Sequence, residues 1–87
     1  MIQQYASNQP AALELRQIDP ARRRFRRYRV TECRTLFGES CLLIEWGRIG
    51  RAPRLRSETF SSPAALSARK RELLARRRRH GYSSEGQ

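Results

Sequence analysis

The residues with most capacity for chemistry are Trp46-Gly47-Arg48-Ile49-Gly50-Arg51. A tryptophan beside glycines can lie flat on a sugar or a base, and stacking of a base on an aromatic ring is worth about 1–3 kcal/mol. Gly47 has no side chain to obstruct that approach. Arg48 and Arg51 carry planar guanidinium forks that grip phosphate oxygens through charge-assisted hydrogen bonds, and Arg54 adds a further cation just beyond them. Two plainer uses stand beside these: Trp46 as a core residue beneath a helix, and Arg48 in an ion pair with Glu45 or Glu58. The chemistry on offer is the binding of a polyanion.

Residue sets that would signal catalysis are missing from the sequence. His80 is the one histidine, and no acid or nucleophile partners it by motif. There is no G-x-x-x-x-G-K phosphate loop and no carboxylate pair at a recognisable spacing. Cys33, Cys41 and His80 fall short of the four ligands a structural zinc needs. The spacing of Cys33 and Cys41 across a hairpin can bring them close, but the expectation is two reduced cysteines used as small core residues in a cytosolic protein. No catalytic, cofactor or metal-binding residue is assigned, and no small-molecule substrate is expected.

The charge agrees with a polyanionic partner. The chain has 87 residues, with 19 Lys+Arg against 8 Asp+Glu, for a net charge of +11. Only Lys70 is lysine. Residues 1–21 hold Glu14, Arg16 and Asp19, a net of −1, so residues 22–87 carry +12. A compact basic domain reads first as a nucleic-acid binder, and then as a ligand for acidic protein or membrane surfaces. The length suits one small domain with a thin core. The longest apolar run, Cys41 to Ile44, is far short of the roughly 20 residues that cross a bilayer as a helix. Met1 to Ala12 lacks the basic start and apolar stretch of a signal peptide. The expectation is a cytoplasmic protein that makes no membrane contact, associated with the nucleoid if it binds DNA.

Positioning these residues requires a sheet. Residues 1–12 read as a flexible arm. Leu13 to Ile18 alternates over its first four residues and reads as a half-buried strand, which Asp19-Pro20 ends. Six of the eight residues 22–29 are arginine, with Phe25 and Tyr28 set among them. Tyr28, Val30 and Glu32 then share one strand face, and Arg27, Arg29 and Thr31 the other. Leu36 to Glu39 contains a turn with Gly38 at positive φ. Ser40 to Arg48 is the most apolar stretch and reads as the central strand. Arg54 to Phe60 alternates as a fourth. A helix follows: Ser62 as N-cap, Pro63 at the first position, and Ala, Leu and Arg over residues 64–79. Leu66, Leu73 and Arg77 line its buried face, with Ala65 and Leu74 nearby. Gly81 ends it, and Tyr82 folds back on the last turn. Residues 83–87 read as a frayed tail. The order predicts an α+β fold, with an antiparallel sheet of about four strands and one C-terminal helix packed across it.

These elements together resemble the WGR domain, which is named for the three residues Trp46-Gly47-Arg48. The resemblance covers residues 13–82. It includes Tyr28 and Val30 in the second strand, the turn Leu36-Phe37-Gly38, the helix entry Phe60-Ser61-Ser62, and the exit Gly81-Tyr82. Arg77 stands where the family usually has lysine. Arg51-Ala52-Pro53-Arg54 replaces the usual small glycine-containing turn with a stiffer, more basic one. WGR domains occur in poly(ADP-ribose) polymerases and as short bacterial proteins. In the polymerases they bind DNA at broken ends, the motif tryptophan stacking on sugar at the strand terminus. The resemblance implies a non-catalytic DNA-binding module, bacterial and linked to DNA damage. Trp46, Gly47, Arg48, Arg51, Arg54, Lys70 and Arg77 are its contact residues. Two alternatives are an RNA binder that stacks bases on Phe25 and Tyr28, and a module that docks an acidic protein.

Overall fold

A computed structural model describes residues 12–84. Four strands, β1 (Ala12–Asp19), β2 (Arg24–Arg34), β3 (Ser40–Arg48) and β4 (Arg54–Phe60), form one antiparallel sheet in the order β1-β2-β3-β4. The helix α1 (Pro63–Arg79) follows. Of the arm expected at residues 1–12, Ala12 instead begins β1, and residues 1–11 lie outside the described residues, as do residues 85–87 of the expected tail.

Register decides which side chains α1 covers, because successive residues of a strand face opposite ways. Leu15 pairs with Tyr28, Tyr28 with Trp46, and Val30 with Ile44, so these residues share one face. α1 lies on that face. Leu15, Tyr28, Val30, Leu42 and Ile44 are almost wholly buried there with Leu66, Leu73 and Leu74 of the helix, and Leu13, Trp46 and Phe60 pack around them. Ala65 is exposed and does not join the buried stripe. Truncating any of the fully buried leucines to alanine typically costs 2–5 kcal/mol.

Local signals set the ends of these elements. The Ser62 hydroxyl accepts a hydrogen bond from the Ala65 amide at 3.1 Å, with Pro63 in the first turn. At the other end Gly81 takes φ +91, its amide bonds to the Arg78 carbonyl, and the Tyr82 amide reaches back to that of Arg77. This paired pattern is the Schellman closure of a helix, which favours glycine at the left-handed position. Tyr82 is thereby buried against the core. Ser83, expected to fray, instead forms a β-bridge with Arg16, exchanging bonds of 2.9 and 2.8 Å.

The cysteines also depart from expectation. β2 and β3 pair Cys33 with Cys41 directly, Cα atoms 5.1 Å apart, and the two are joined by a disulfide rather than left reduced. Both lie on the sheet face that α1 does not cover. Phe25, Arg27 and Arg29 share that second face, while Tyr28 is buried on the first. Phe25 and Tyr28 therefore do not make one stacking platform, and the geometric basis for the RNA alternative fails.

Candidate nucleic-acid interface

An antiparallel meander returns to the same end every second strand. Here the end of β1, the start of β2, the end of β3 and the start of β4 meet. α1 runs back to this end too: the Gln17 side-chain amide donates to the His80 carbonyl at 2.8 Å, and Ser83 bridges to Arg16. Three basic segments far apart in sequence therefore converge: Arg22 to Arg26, Arg48 to Arg54, and Arg76 to Arg79. Among the described residues the ion pairs take up Arg16, Arg22, Arg56, Arg69 and Lys70. Only Arg22 of these belongs to the converging segments, held loosely by Asp19 at 3.8 Å. The other arginines of this end have no described carboxylate within ion-pair distance.

A short 3-10 turn, Pro20–Arg22, joins β1 to β2, and Arg23 closes it in the left-handed region at φ +55. A non-glycine residue there costs of order 1–2 kcal/mol. Its carbonyl accepts a hydrogen bond from Arg48 Nη1 at 3.3 Å, and the Arg48 guanidinium lies 5.5 Å from the Phe25 ring centroid. Arg48 is thus held by a backbone carbonyl and an aromatic ring, not by Glu45 or Glu58. A cation held this way keeps its full charge for an incoming anion. After β3 the chain turns at residues 48–51, where the Arg51 amide bonds to the Arg48 carbonyl at 3.1 Å and Gly50 takes φ +90. Arg51 and Arg54 are both exposed at this turn. Gly47 is at φ +150, and a Cβ there would stand 3.7 Å from Pro53 Cα.

The motif straddles the sheet. Trp46 has the parity of Leu42 and Ile44, so it faces α1 and is partly buried against the core. It is less exposed than its glycine neighbours suggested. Gly47 faces the opposite side, in register with Arg27. The Arg56 guanidinium sits 5.8 Å from the Trp46 ring centroid.

Lys70 and Arg77 have structural partners. Lys70 Nζ is 2.8 Å from Glu32 Oε2, tying the middle of α1 to β2. Glu32 lies four residues beyond Tyr28 in β2, about 13 Å along the strand at 3.3 Å per residue. Lys70 is thereby drawn away from the row that carries Trp46. Arg77 does lie at the basic end, half-buried, with its guanidinium 4.4 Å from the Tyr28 ring centroid and 5.8 Å from that of Tyr82. Such a cation stacked on aromatic rings contributes to packing as well as charge.

One residue network escaped sequence reasoning. Glu58 accepts from Arg69 Nε at 2.9 Å and Nη2 at 3.1 Å, and from Arg56 Nη2 at 3.0 Å. The Arg69 bonds, ahead of any effect of Arg56, hold the Glu58 carboxyl below its ordinary value. In turn Glu58 and Glu72 bind Arg69 more firmly in its charged form. The alternation of Arg54 to Phe60 does place Arg56 and Glu58 on one face, but nothing local shows that Arg69 of the helix reaches them.

At the opposite end the turn at residues 35–39 exposes Leu36 and Phe37 almost fully. A shallow recess beside it is lined by Phe37, Phe60 and Pro63 among others. The described residues contain no cluster of three metal-ligating side chains and no helix long and apolar enough to cross a membrane.

Comparison with known proteins agrees with this architecture. The profile of the WGR domain matches residues 11–87. An uncharacterized protein, y4dW, of Sinorhizobium fredii is 33% identical over 75 residues, covering 86% of this chain and 37% of that protein. The chain thus spans little more than a third of that relative's length. No solved structure matches. With the four-stranded sheet, the Trp-Gly-Arg turn and the capped C-terminal helix in place, the chain belongs to the WGR domain family.

Proposed function

We propose that this domain binds DNA without strong sequence preference, favouring ends, nicks or gaps, and that it does so without catalysing a reaction. The observation that carries the proposal is the convergence of residues 22–26, 48–54 and 76–79 at the end that holds Trp46. Concentrating like charges destabilises a folded chain through self-repulsion, and a polyanion relieves it. Arginines on turns and a helix terminus suit phosphate contacts, which position a protein on nucleic acid without reading sequence. The preference for termini follows from the motif. Trp46 and Gly47 face opposite sides of the sheet at the end of β3, so a strand that ends there can place its terminal sugar against the indole, while an uninterrupted strand passes over the arginines. Arg48, Arg51 and Arg54 are the phosphate contacts nearest Trp46, with Arg23, Arg24 and Arg26 on one side and the exposed arginines of α1 on the other. Lys70 and Arg77 serve the fold first.

The test is a titration of blunt, nicked, gapped and closed circular duplexes, and of single-stranded RNA, at two salt concentrations. The expected result is binding to every duplex, tightest where a strand terminates, weakening steeply with salt. Binding that prefers the RNA, or that ignores salt, overturns the proposal. Trp46→Ala should weaken binding to the nicked duplex more than to an intact one, and equal losses refute an end-reading role.

A further inference from the structure

The ring of Trp46 is not free. One part of the side chain packs on the core, and Arg56 stands over the indole at 5.8 Å. Trp46 pairs with Arg54 in β4, so Arg56, two residues on, is its diagonal neighbour on the same face. From Arg56 a line of charged contacts runs back to the helix. Arg56 binds Glu58, Glu58 is clasped by Arg69, and Arg69 Nη1 reaches Glu72 at 2.6 Å. The two arginines differ in how firmly they are held. Arg69 has two carboxylates and its side chain is 28% exposed, whereas Arg56 has one carboxylate and is 48% exposed. Arg56 is the movable end of the chain, and what it covers is the motif tryptophan.

We propose that Arg56 determines the specificity of the Trp46 site: it covers the indole in the free domain, and a DNA strand terminus that stacks on Trp46 displaces it. The proposal rests on the DNA-binding function argued above. A displaced guanidinium stays tethered to Glu58. An intact duplex meets the arginines alone and leaves the ring covered. Removing a cation from an aromatic face at a partly exposed site corresponds to about a two- to fivefold factor in affinity. Only terminated DNA bears that factor, because an intact duplex leaves Arg56 in place over the ring.

The chain contains one tryptophan, so its fluorescence reports on this site alone. The experiment compares the parent, Arg56→Ala and Arg56→Lys, each checked for fold by circular dichroism. It measures acrylamide quenching of the free proteins and affinity for nicked and intact duplexes of one sequence at one salt concentration. Arg56→Ala should quench more readily and raise the nicked-to-intact affinity ratio about two- to fivefold, with Arg56→Lys intermediate in both. Unchanged quenching in Arg56→Ala refutes the cover. Increased quenching with an unchanged or lower ratio refutes the displacement. If the parent binds neither duplex, the DNA-binding function itself fails and the displacement with it, while the quenching comparison still decides whether Arg56 covers the ring.

Discussion

Charge removed at the basic end should act differently from the same charge removed elsewhere. The informative perturbation is the double variant Arg48→Ala/Arg51→Ala, set against Lys70→Ala. If about six arginines of the converging segments contact phosphates, the slope of log affinity against log salt is about −5, and affinity falls roughly a thousandfold between 50 and 200 mM salt. Each lost contact should reduce the slope by about 0.9. At 0.1 M salt the forgone counterion release is then about eightfold per contact, so the double variant binds roughly sixtyfold more weakly. Lys70 is bonded to Glu32 at 2.8 Å toward the far end of the sheet. Its removal lowers the net charge by one but takes away no phosphate contact, so the slope should stay as in the parent.

The assay is fluorescence anisotropy on a nicked duplex across at least four salt concentrations, with melting curves to confirm that every variant is folded. Comparing the slope change per charge lost separates a local contact from a general field. If Lys70→Ala flattens the slope as much per charge as the arginine variant, the whole +11 acts as a diffuse field and the basic end has no special role. If the double variant keeps the parent slope, Arg48 and Arg51 do not touch phosphate.

Three further outcomes follow from the fold. Glu58→Gln should cost about 1 kcal/mol at neutral pH, since the pairs with Arg69 and Arg56 are only partly buried. Arg69 chiefly holds the Glu58 carboxyl below its ordinary 4.5, so its contribution is present above that pH and disappears as pH falls through the folded value; the variant should therefore show a flatter loss of melting temperature on acidification. Gly81→Ala should cost about 1–2 kcal/mol by denaturant titration, because the residue sits at φ +91 and a Cβ there would stand 3.1 Å from Gln17 Nε2. Reduction of the Cys33–Cys41 bridge reopens a short loop, so a reductant should lower stability by roughly 2–3 kcal/mol and leave a Cys33→Ser/Cys41→Ser variant unaffected. A denaturation midpoint unmoved by reductant, with both thiols free in the purified protein, would contradict the bridge.

Features encoded by neighbours in sequence were legible in advance. Ser62-Pro63 and Gly81-Tyr82 mark the ends of α1 because capping is settled within a few residues. The faces of β2 followed from the alternation of Tyr28 and Val30 with the arginines between them. Other features depend on partners brought together only by the sheet. The acceptor for Arg48 is the carbonyl of Arg23, and its geometry depends on a left-handed arginine that no motif announces. Arg56 reaches Trp46 through β3–β4 register, and is steadied by Glu58, which an arginine of the helix holds. Ser83 pairs with Arg16 because the helix closure aims the chain back at β1.

The partial burial of Trp46 belongs to neither group, because the signal was present and outweighed. Leu42, Ile44 and Trp46 share parity, so once β3 is drawn with Leu42 and Ile44 inward, Trp46 must also face α1. The flanking glycines suggested exposure instead, yet Gly47 faces the other side and Gly50 belongs to the turn. Parity therefore gives the motif at the end of β3 two sides rather than one flat surface. Arg48, Arg51 and Arg54 are exposed around that end. The indole lies between the core and Arg56, and on the proposed function a strand that ends there is what reaches it. On the proposed function the charge provides affinity for any phosphate backbone, and discrimination depends on how readily the single ring is uncovered.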